Sequence, residues 1–321
     1  MKDVILVTGG LGFIGKKLVE KLKLEYKDYK IVVLDQYIRD YDDYIRSDIT
    51  DFGEIYTNVR RIDGNIKYII HAASEVGRIN GEEHPWKMID SAVKGTLNLI
   101  NIALEYDAKF VYFSTSEVYG DIFDDKEVME DDMLNVSPLT LNNVYAISKL
   151  FGESLVRHYV KNYRLKAVGI RPFMVYGPGV YSSKYKSALD IFIWKLLNEE
   201  EINVDKNCVR SWCHIDDFIE GILLIIKKHN FDSHEYHAYN IGNNKEYKTI
   251  EESAEFIRKE LSADPSLIKK QTFNGKFKSQ SKYFNADKLE NIGFTPKVSI
   301  EEGIKQMIDW YKQIKEENIK C

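Results

Sequence analysis

Three cysteines in 321 residues, no apolar run long enough to cross a bilayer and no excess of positive charge narrow the field before any motif is read. Cys208, Cys213 and Cys321 are few, odd in number and without the paired spacing of a metal site. Neither a disulfide framework nor a metal centre is expected, and a reducing, cytoplasmic setting fits. The longest aliphatic stretch, Ile222-Leu223-Leu224-Ile225-Ile226, ends at Lys227-Lys228. It falls short of the ~18 residues a membrane span needs and reads as a buried helix. A formal net charge of −5 offers no electrostatic case for nucleic acid or an anionic membrane as partner. The N-terminus enters an apolar strand at once, leaving no room for a signal peptide. Low-complexity segments and internal repeats are also missing.

What is present is an ordinary globular composition, 44% hydrophobic and 30% charged. A chain of this length buries about three quarters of its unfolded surface. At ~150 residues per domain it suggests two domains, or one large α/β domain with an elaboration. The rest is organised around Val4-Ile5-Leu6-Val7-Thr8-Gly9-Gly10-Leu11-Gly12-Phe13-Ile14-Gly15. Its four apolar residues predict a strand buried on both faces, as in a parallel sheet. Gly9, Gly12 and Gly15 follow at GxxGxxG spacing, and Leu18, Val19 and Leu22 recur at helical spacing, so a helix opens within the glycine run. Strand, glycine turn and helix in that order present backbone N–H groups and a positive helix end to a pyrophosphate. Residues 30–35 read as a second buried strand, ending in Asp35, 20 positions after Gly15. A carboxylate there accepts hydrogen bonds from both adenosine ribose hydroxyls and repels a 2′-phosphate. The expected cofactor is NAD rather than NADP.

Residues 36–47 read as loop plus a short strand, followed by Asp48-Ile49-Thr50-Asp51. Asp48 and Ile49 are candidates to hold an adenine, the first on its exocyclic amine and the second on its face, while Thr50 or Asp51 caps a helix. A third strand over 66–74 runs into Ala72, Ala73 and Ser74, small enough for a cofactor to lie against the backbone. A long helix is predicted over 86–106, with Ile89, Val93, Leu97, Ile100 and Leu104 on one stripe. A fourth strand over 110–113 leads into Ser114-Thr115-Ser116-Glu117-Val118-Tyr119-Gly120, then an acidic solvated loop over 121–132. A helix over 145–163 and a fifth strand over 167–171 complete the alternation. Beyond Gly177-Pro178-Gly179 it loosens, with helices at 188–197, 215–228, 250–261 and 300–315 and a short strand at 239–242. The expected architecture is α/β: a doubly wound parallel sheet (Rossmann) over 1–173, to which 211–242 return, and a smaller α/β C-terminal substrate domain from 174–210 and 243–321.

Tyr145 and Lys149 lie four apart on one helix face. A phenol titrates near 10 in water. A neighbouring ammonium and a positive nicotinamide ring both favour phenolate and bring that value toward working pH. Such a tyrosine can take a hydroxyl proton while the carbon beneath gives its hydride to NAD, with Lys149 also on the nicotinamide ribose. Tyr-x-x-x-Lys alone is common on helix surfaces. The fingerprint and the Ser/Thr-ended strand before it make this pair a catalytic candidate.

Taken together, these motifs resemble the extended short-chain dehydrogenase/reductase superfamily, in its NAD-dependent nucleotide-sugar epimerase/dehydratase branch. The resemblance rests on Thr8 to Gly15, Asp35, Asp48-Ile49, His71-Ala72-Ala73, Ser114 to Gly120, Tyr145-x-x-x-Lys149, Arg171 to Pro178 and Arg210 to Asp217, in the expected order over nearly the whole chain. It implies a tightly held NAD and a nucleotide-diphosphate sugar oxidised at carbon 4. Residues 114–120 look like the Ser-Thr-Ser-Glu-Val-Tyr-Gly of UDP-glucuronic acid decarboxylases and are similar to the Ser-Thr-Asp-Glu-Val-Tyr-Gly of dTDP-glucose 4,6-dehydratases. By that match Thr115 bonds the carbon 4 hydroxyl beside Tyr145, and Glu117 is a base toward the carbon 5 proton. A loop-anchoring role is the plainer alternative for Glu117.

Departures from the pattern bear on the substrate. Ser116 stands where the dehydratases place an Asp that protonates the leaving hydroxyl, and serine is a far poorer acid. Met174 stands where relatives have an Asn that contacts the nucleotide sugar, and Ala92 where an Asn precedes Val93-Lys94-Gly95-Thr96. Arg210 matches the arginine that pairs with the sugar nucleotide's phosphate, a task suited to a guanidinium. His71 reads as structural and His214 as packing. A homodimer built from the helices at 86–106 and 145–163 is expected by the same resemblance. The favoured reading is dehydratase/decarboxylase-like. A 4-epimerase or 4-dehydrogenase is the alternative, and a catalytically silent NAD-binding regulator the third.

Overall fold

The computed structural model describes residues 2–37, 42–120, 127–183, 186–205, 208–271 and 281–317. Cys321 and the first part of the acidic stretch lie outside the described residues. The apolar, β-branched runs form a seven-stranded parallel sheet. Its strands are β1 (Asp3–Thr8), β2 (Tyr29–Asp35), β3 (Tyr44–Arg46), β4 (Asn65–His71), β5 (Lys109–Phe113), β6 (Ala167–Pro172) and β7 (His237–Ile241). Their order is β7-β6-β5-β4-β1-β2-β3. β1 pairs in parallel with both β2 and β4, so the chain reverses its direction of winding beside β1. In an open sheet, ligands bind outside the carboxyl ends of the strands at such a reversal. Val4 to Val7, Val32 to Leu34 and Ile69-Ile70 are buried, as covering both faces demands.

Two compact units divide the chain. The first comprises Met1–Val118, Val136–Pro172 and Ile219–Tyr239 and holds nearly all of the sheet. Around it lie α1 (Phe13–Glu25) and α2 (Phe52–Val59), the latter capped by Asp51, whose Oδ1 accepts from Glu54 N at 2.9 Å. The helix predicted over 86–106 runs through residues 85–105 and contains a π-helical stretch. After α3 (Arg78–Glu83) come α4 (Pro85–Ile89), a π-helical turn at Asp90–Gly95, and α5 (Thr96–Glu105). The cause is tertiary. A Cβ on Gly95 would stand 2.6 Å from Ile49 Cδ1, and Thr96 Oγ1 donates back to Ala92 O at 2.7 Å. The π turn inserts a residue at this close approach and re-phases the apolar stripe. α6 (Val144–Tyr163) opens on Asn143, whose side chain accepts from Ala146 N at 2.8 Å, and closes on Arg164 at φ 58°.

The second unit comprises Tyr119–Asn135, Phe173–Phe218 and Asn240–Cys321. Leu189 and Ile193, Ala254 and Ile257, and Ile304 and Met307 share its core, contributed by helices Ala188–Leu197, Ile250–Leu261 and Ile300–Glu316. Its short strands include Val209–Ser211 antiparallel to Tyr247–Thr249 and Tyr283–Phe284 parallel to Glu127–Val128. The division differs from the sequence expectation at 119–135, 211–218 and 240–242, which belong to this unit. Glu130, expected in a solvated acidic loop, is buried and accepts from Asn240 N at 2.9 Å, while Asn240 Oδ1 accepts from Tyr119 at 2.6 Å. Among the described residues no group of three His, Cys, Asp or Glu could hold a metal ion, and no helix is long and apolar enough to cross a membrane.

Candidate active site

Each glycine of the opening turn has its own steric reason. Gly9 adopts φ 70°, and a Cβ there would approach Ala73 N to 2.7 Å. Gly12 N donates to Gly9 O at 3.0 Å. A Cβ on Gly15 would lie 2.0 Å from Gly9 O. α1 therefore starts directly against the turn. Gly12 is its N-cap, with no side-chain cap and no acidic residue in the first turn, so the N–H groups at Phe13 and Ile14 meet no competing side-chain anion. That donor set fits a dinucleotide pyrophosphate. Asp35 is buried at the end of β2, where Oδ2 accepts from Leu11 N at 3.0 Å and Oδ1 from Tyr37 N at 3.4 Å.

His71 organises the neighbouring strand end. Its Nδ1 lies 2.9 Å from Thr8 Oγ1 and its Nε2 3.1 Å from Thr96 Oγ1. Burial, helped by the charge of Lys149, depresses its pKa to about 3, so the ring is neutral. Thr8 Oγ1 also accepts from Ala73 N at 3.2 Å, which fixes Ala72 and Ala73 beside Gly9. The buried Ser74 hydroxyl has no hydrogen-bond partner among the described residues, as suits a group that a ligand satisfies. Asp48 Oδ1 is used locally, accepting from Thr50 N at 2.8 Å and Thr50 Oγ1 at 2.9 Å. Ile49 is buried against Gly95, and its carbonyl accepts from Asn98 Nδ2 at 2.9 Å.

At the end of β5 the first unit gathers a second cluster. Tyr145 lies beside Thr115, whose Oγ1 accepts from Glu117 N at 3.3 Å. Burial pushes Tyr145 up to about 12, the nearby Thr115 hydroxyl offsets part of this, and the Glu117 charge adds to it. Desolvation is the largest cause of this rise, and the lowering expected from sequence relies on the positive nicotinamide of bound NAD together with Lys149. Lys149 itself is buried and held down at about 7 by desolvation, with Nζ donating to Phe113 O at 2.9 Å. One turn further along α6, Glu153 forms a fully buried pair with Arg171 of β6, Nη2 to Oε1 at 2.5 Å, and also accepts from Ser114 Oγ. Burial raises the Glu153 pKa, but Arg171 and these hydrogen bonds overcome it and leave the value lowered. Glu117 is paired with Arg78 of α3, whose Nε and Nη2 stand 2.8 and 2.5 Å from Oε2. Ser116 is buried at the start of the same 3₁₀ turn, Ser116–Tyr119.

Three of these residues were not singled out from sequence. Glu153 continues the Tyr145–Lys149 stripe at i+8, a detectable signal, and Arg171 was noted only within its motif. Arg78 carries no local signal, since its partner is 39 residues away.

The other predicted residues belong to the second unit. Arg210 is buried on Val209–Ser211, with Nη1 donating to Val209 O at 2.8 Å. Met174 sits at φ 41°, a left-handed conformation that the Asn of relatives adopts more cheaply. His214 is buried edge-on to Tyr176, ring centroids 5.5 Å apart.

The profile of the NAD dependent epimerase/dehydratase family matches residues 5–242. An uncharacterized protein of Methanocaldococcus jannaschii is 31% identical over 338 residues, covering 97% of each chain. A trifunctional UDP-glucose 4,6-dehydratase/3,5-epimerase/reductase of Arabidopsis thaliana is 27% identical over 96% of this chain, which spans only 47% of that longer protein. The crystal structure of dTDP-glucose 4,6-dehydratase from Bacillus anthracis in complex with NAD superimposes with a TM-score of 0.81 at 25% identity, covering 98% of both chains. With the fingerprint, the acidic strand end and the Tyr-Lys helix all on one unit, the chain belongs to the NAD-dependent epimerase/dehydratase family, as an enzyme of the short-chain dehydrogenase/reductase type whose cofactor is NAD.

Proposed function

We propose that this enzyme oxidises carbon 4 of a nucleotide-diphosphate sugar and that the new ketone then either lets Glu117 remove the acidified carbon 5 proton as water is lost across carbons 5 and 6, or, where carbon 6 is a carboxylate, takes up the electron pair of the carbon 5–carbon 6 bond as carbon dioxide leaves. The observation that carries this reading is the cluster of Tyr145 with Thr115 and Glu117, and Lys149 one helical turn further along α6. NAD, when bound, supplies the hydride acceptor and a positive charge near the phenol. Thr115 orients the carbon 4 hydroxyl toward Tyr145, which receives its proton. Lys149 stabilises the ionised phenol and holds the nicotinamide ribose, while Asp35 takes the adenosine ribose hydroxyls. Phe13 and Ile14 offer backbone N–H groups to the pyrophosphate, and Asp48, Ile49 and Ala72 to Ser74 line the cofactor's path. Arg210 pairs with the sugar nucleotide's phosphate, and Met174 contacts the substrate in place of the usual Asn.

A 4-epimerase or 4-dehydrogenase is the second reading, favoured by one observation. The Glu117 carboxylate is already engaged by Arg78, and Ser116 supplies no strong acid for a leaving hydroxyl. Incubation with UDP-glucose, UDP-glucuronate, dTDP-glucose and GDP-mannose, followed by product masses, separates the fates. Loss of water or carbon dioxide supports the first reading, while loss of two hydrogens or no change supports the second. Turnover that survives Tyr145→Phe would remove the acid/base role of that residue, while no turnover of any sugar nucleotide by the wild type would favour the silent-regulator reading. NAD should raise the unfolding temperature well above NADP at equal concentration if Asp35 reads the ribose. A homodimer is part of the same reading, supported by exposed Trp86, Ile89, Ile147 and Phe151 on α4 and α6. Light scattering of Phe151→Glu, expected to be monomeric, tests it.

A further inference from the structure

Glu117 and Tyr145 set an electrostatic problem. The functional reading needs both to be anionic, one as carboxylate and one as phenolate. They share Thr115 as a neighbour, and the Glu117 charge already works against Tyr145 ionisation. Two such groups tend to share one proton and titrate as a pair. Arg78 stands against one of them, with two nitrogens on Glu117 Oε2. Its helix is fastened on both sides. Gly77 turns the chain into α3 at φ 97°, and Asn80 Nδ2 donates to Glu75 Oε2 at 2.8 Å. At the far end Glu82 Oε1 accepts from Val144 N at 3.1 Å, and a Cβ on Gly81 would lie 3.1 Å from Tyr145 N. α3 is thereby tied to the first turn of the helix that carries Tyr145.

We propose that Arg78 is a positioning residue acting through Glu117: it keeps that carboxylate ionised and aimed while Tyr145 is also ionised, so that the site holds two independent bases. The inference rests on the functional reading above. In the step concerned the carbon 5–hydrogen bond breaks, the proton goes to Glu117, and the electron pair enters the enolate of the carbon 4 ketone. Arg78, a guanidinium, gives up no proton. The remaining titratable groups facing Tyr145 are Lys149 on α6 and Tyr112 on β5.

The test runs wild type, Arg78→Met, Arg78→Lys, Glu117→Gln and the Met/Gln double variant with the four sugar nucleotides named above in D₂O. NADH absorbance reports carbon 4 oxidation, and deuterium at carbon 5 of sugars that keep carbon 6 reports proton removal. Arg78→Met is expected to cut carbon 5 exchange by about 100-fold, the scale of a displaced general base, with partial recovery in Arg78→Lys. The pH limb of NADH formation should move up in Arg78→Met and down in Glu117→Gln, and Arg78→Met should no longer move it once Glu117 is Gln. Unchanged exchange in Arg78→Met, or an equal pH shift in the Gln background, overturns the inference and leaves Arg78 a brace for α3. Wild type that forms NADH without exchange overturns the base role of Glu117 and this inference with it. Wild type inert toward all four substrates overturns the functional reading itself.

Discussion

Arg171–Glu153 and Arg78–Glu117 are the same chemical pair in two settings within the first unit. The Arg171 and Glu153 side chains are 2% and 0% exposed, whereas those of Arg78 and Glu117 are 23% and 15% exposed. In the dry pair the carboxylate must be satisfied, so Glu153 gathers Arg171 and Ser114 and stays ionised against its own desolvation. It has no proton to exchange with anything outside, and it locks α6 to the ends of β5 and β6. In the wetter pair the carboxylate borders the Tyr145 cluster, and the arginine adjusts its charge without sealing it off. Solvent access, rather than residue type, separates the two pairs.

The largest effect should come from breaking the dry pair. Glu153→Ala strands Arg171 in the interior and is expected to cost about 3–5 kcal/mol in urea unfolding. Adding Arg171→Met should recover much of that loss, and a double variant no more stable than the single one would contradict the account. Next comes the buried cation that has no carboxylate at all. Lys149 titrates lower folded than unfolded, about 7 against 10.5, so between those values the unfolded chain binds the extra proton and stability rises with pH. Lys149→Met should therefore gain on the order of a few kcal/mol at pH 7, with the gain shrinking toward pH 10.5, while carbon 4 oxidation is lost. Thermal melts of both proteins across that range check the sign. Acid sharpens the contrast further. Glu153 has a lowered folded pKa, so its contribution is present above the unfolded carboxyl value and disappears as pH falls through the folded one. Glu153→Gln should flatten that limb. The smallest effect belongs to Arg78→Met, below about 1 kcal/mol in unfolding, as for a solvent-accessible pair.

The parts legible in the sequence are those set by short-range sterics. The glycine turn, the acidic end of β2 and the Tyr145–Lys149 spacing need only neighbours within one strand, turn or helix. The π turn at Asp90–Gly95 was not legible because it answers a contact with Ile49, some 45 residues earlier. Arg78 was hidden for the same reason. The burial that raises Tyr145 was not legible, because a motif displays its charges but not the water it excludes. Glu153 could have been noticed, since a third polar residue on the Tyr145–Lys149 stripe requires a buried partner.

Asp35 carries a consequence for anyone who would re-engineer this enzyme. On the functional reading proposed above, its carboxylate is the discriminator against a 2′-phosphate as well as the acceptor that tethers Leu11 N in the glycine turn. Swapping it for a small or basic residue to recruit the phosphorylated cofactor would also slacken the loop that grips the pyrophosphate. Preference and grip are a single design variable here. A neutral acceptor such as Asp35→Asn, which removes the charge while keeping the tether, is the first step that separates them.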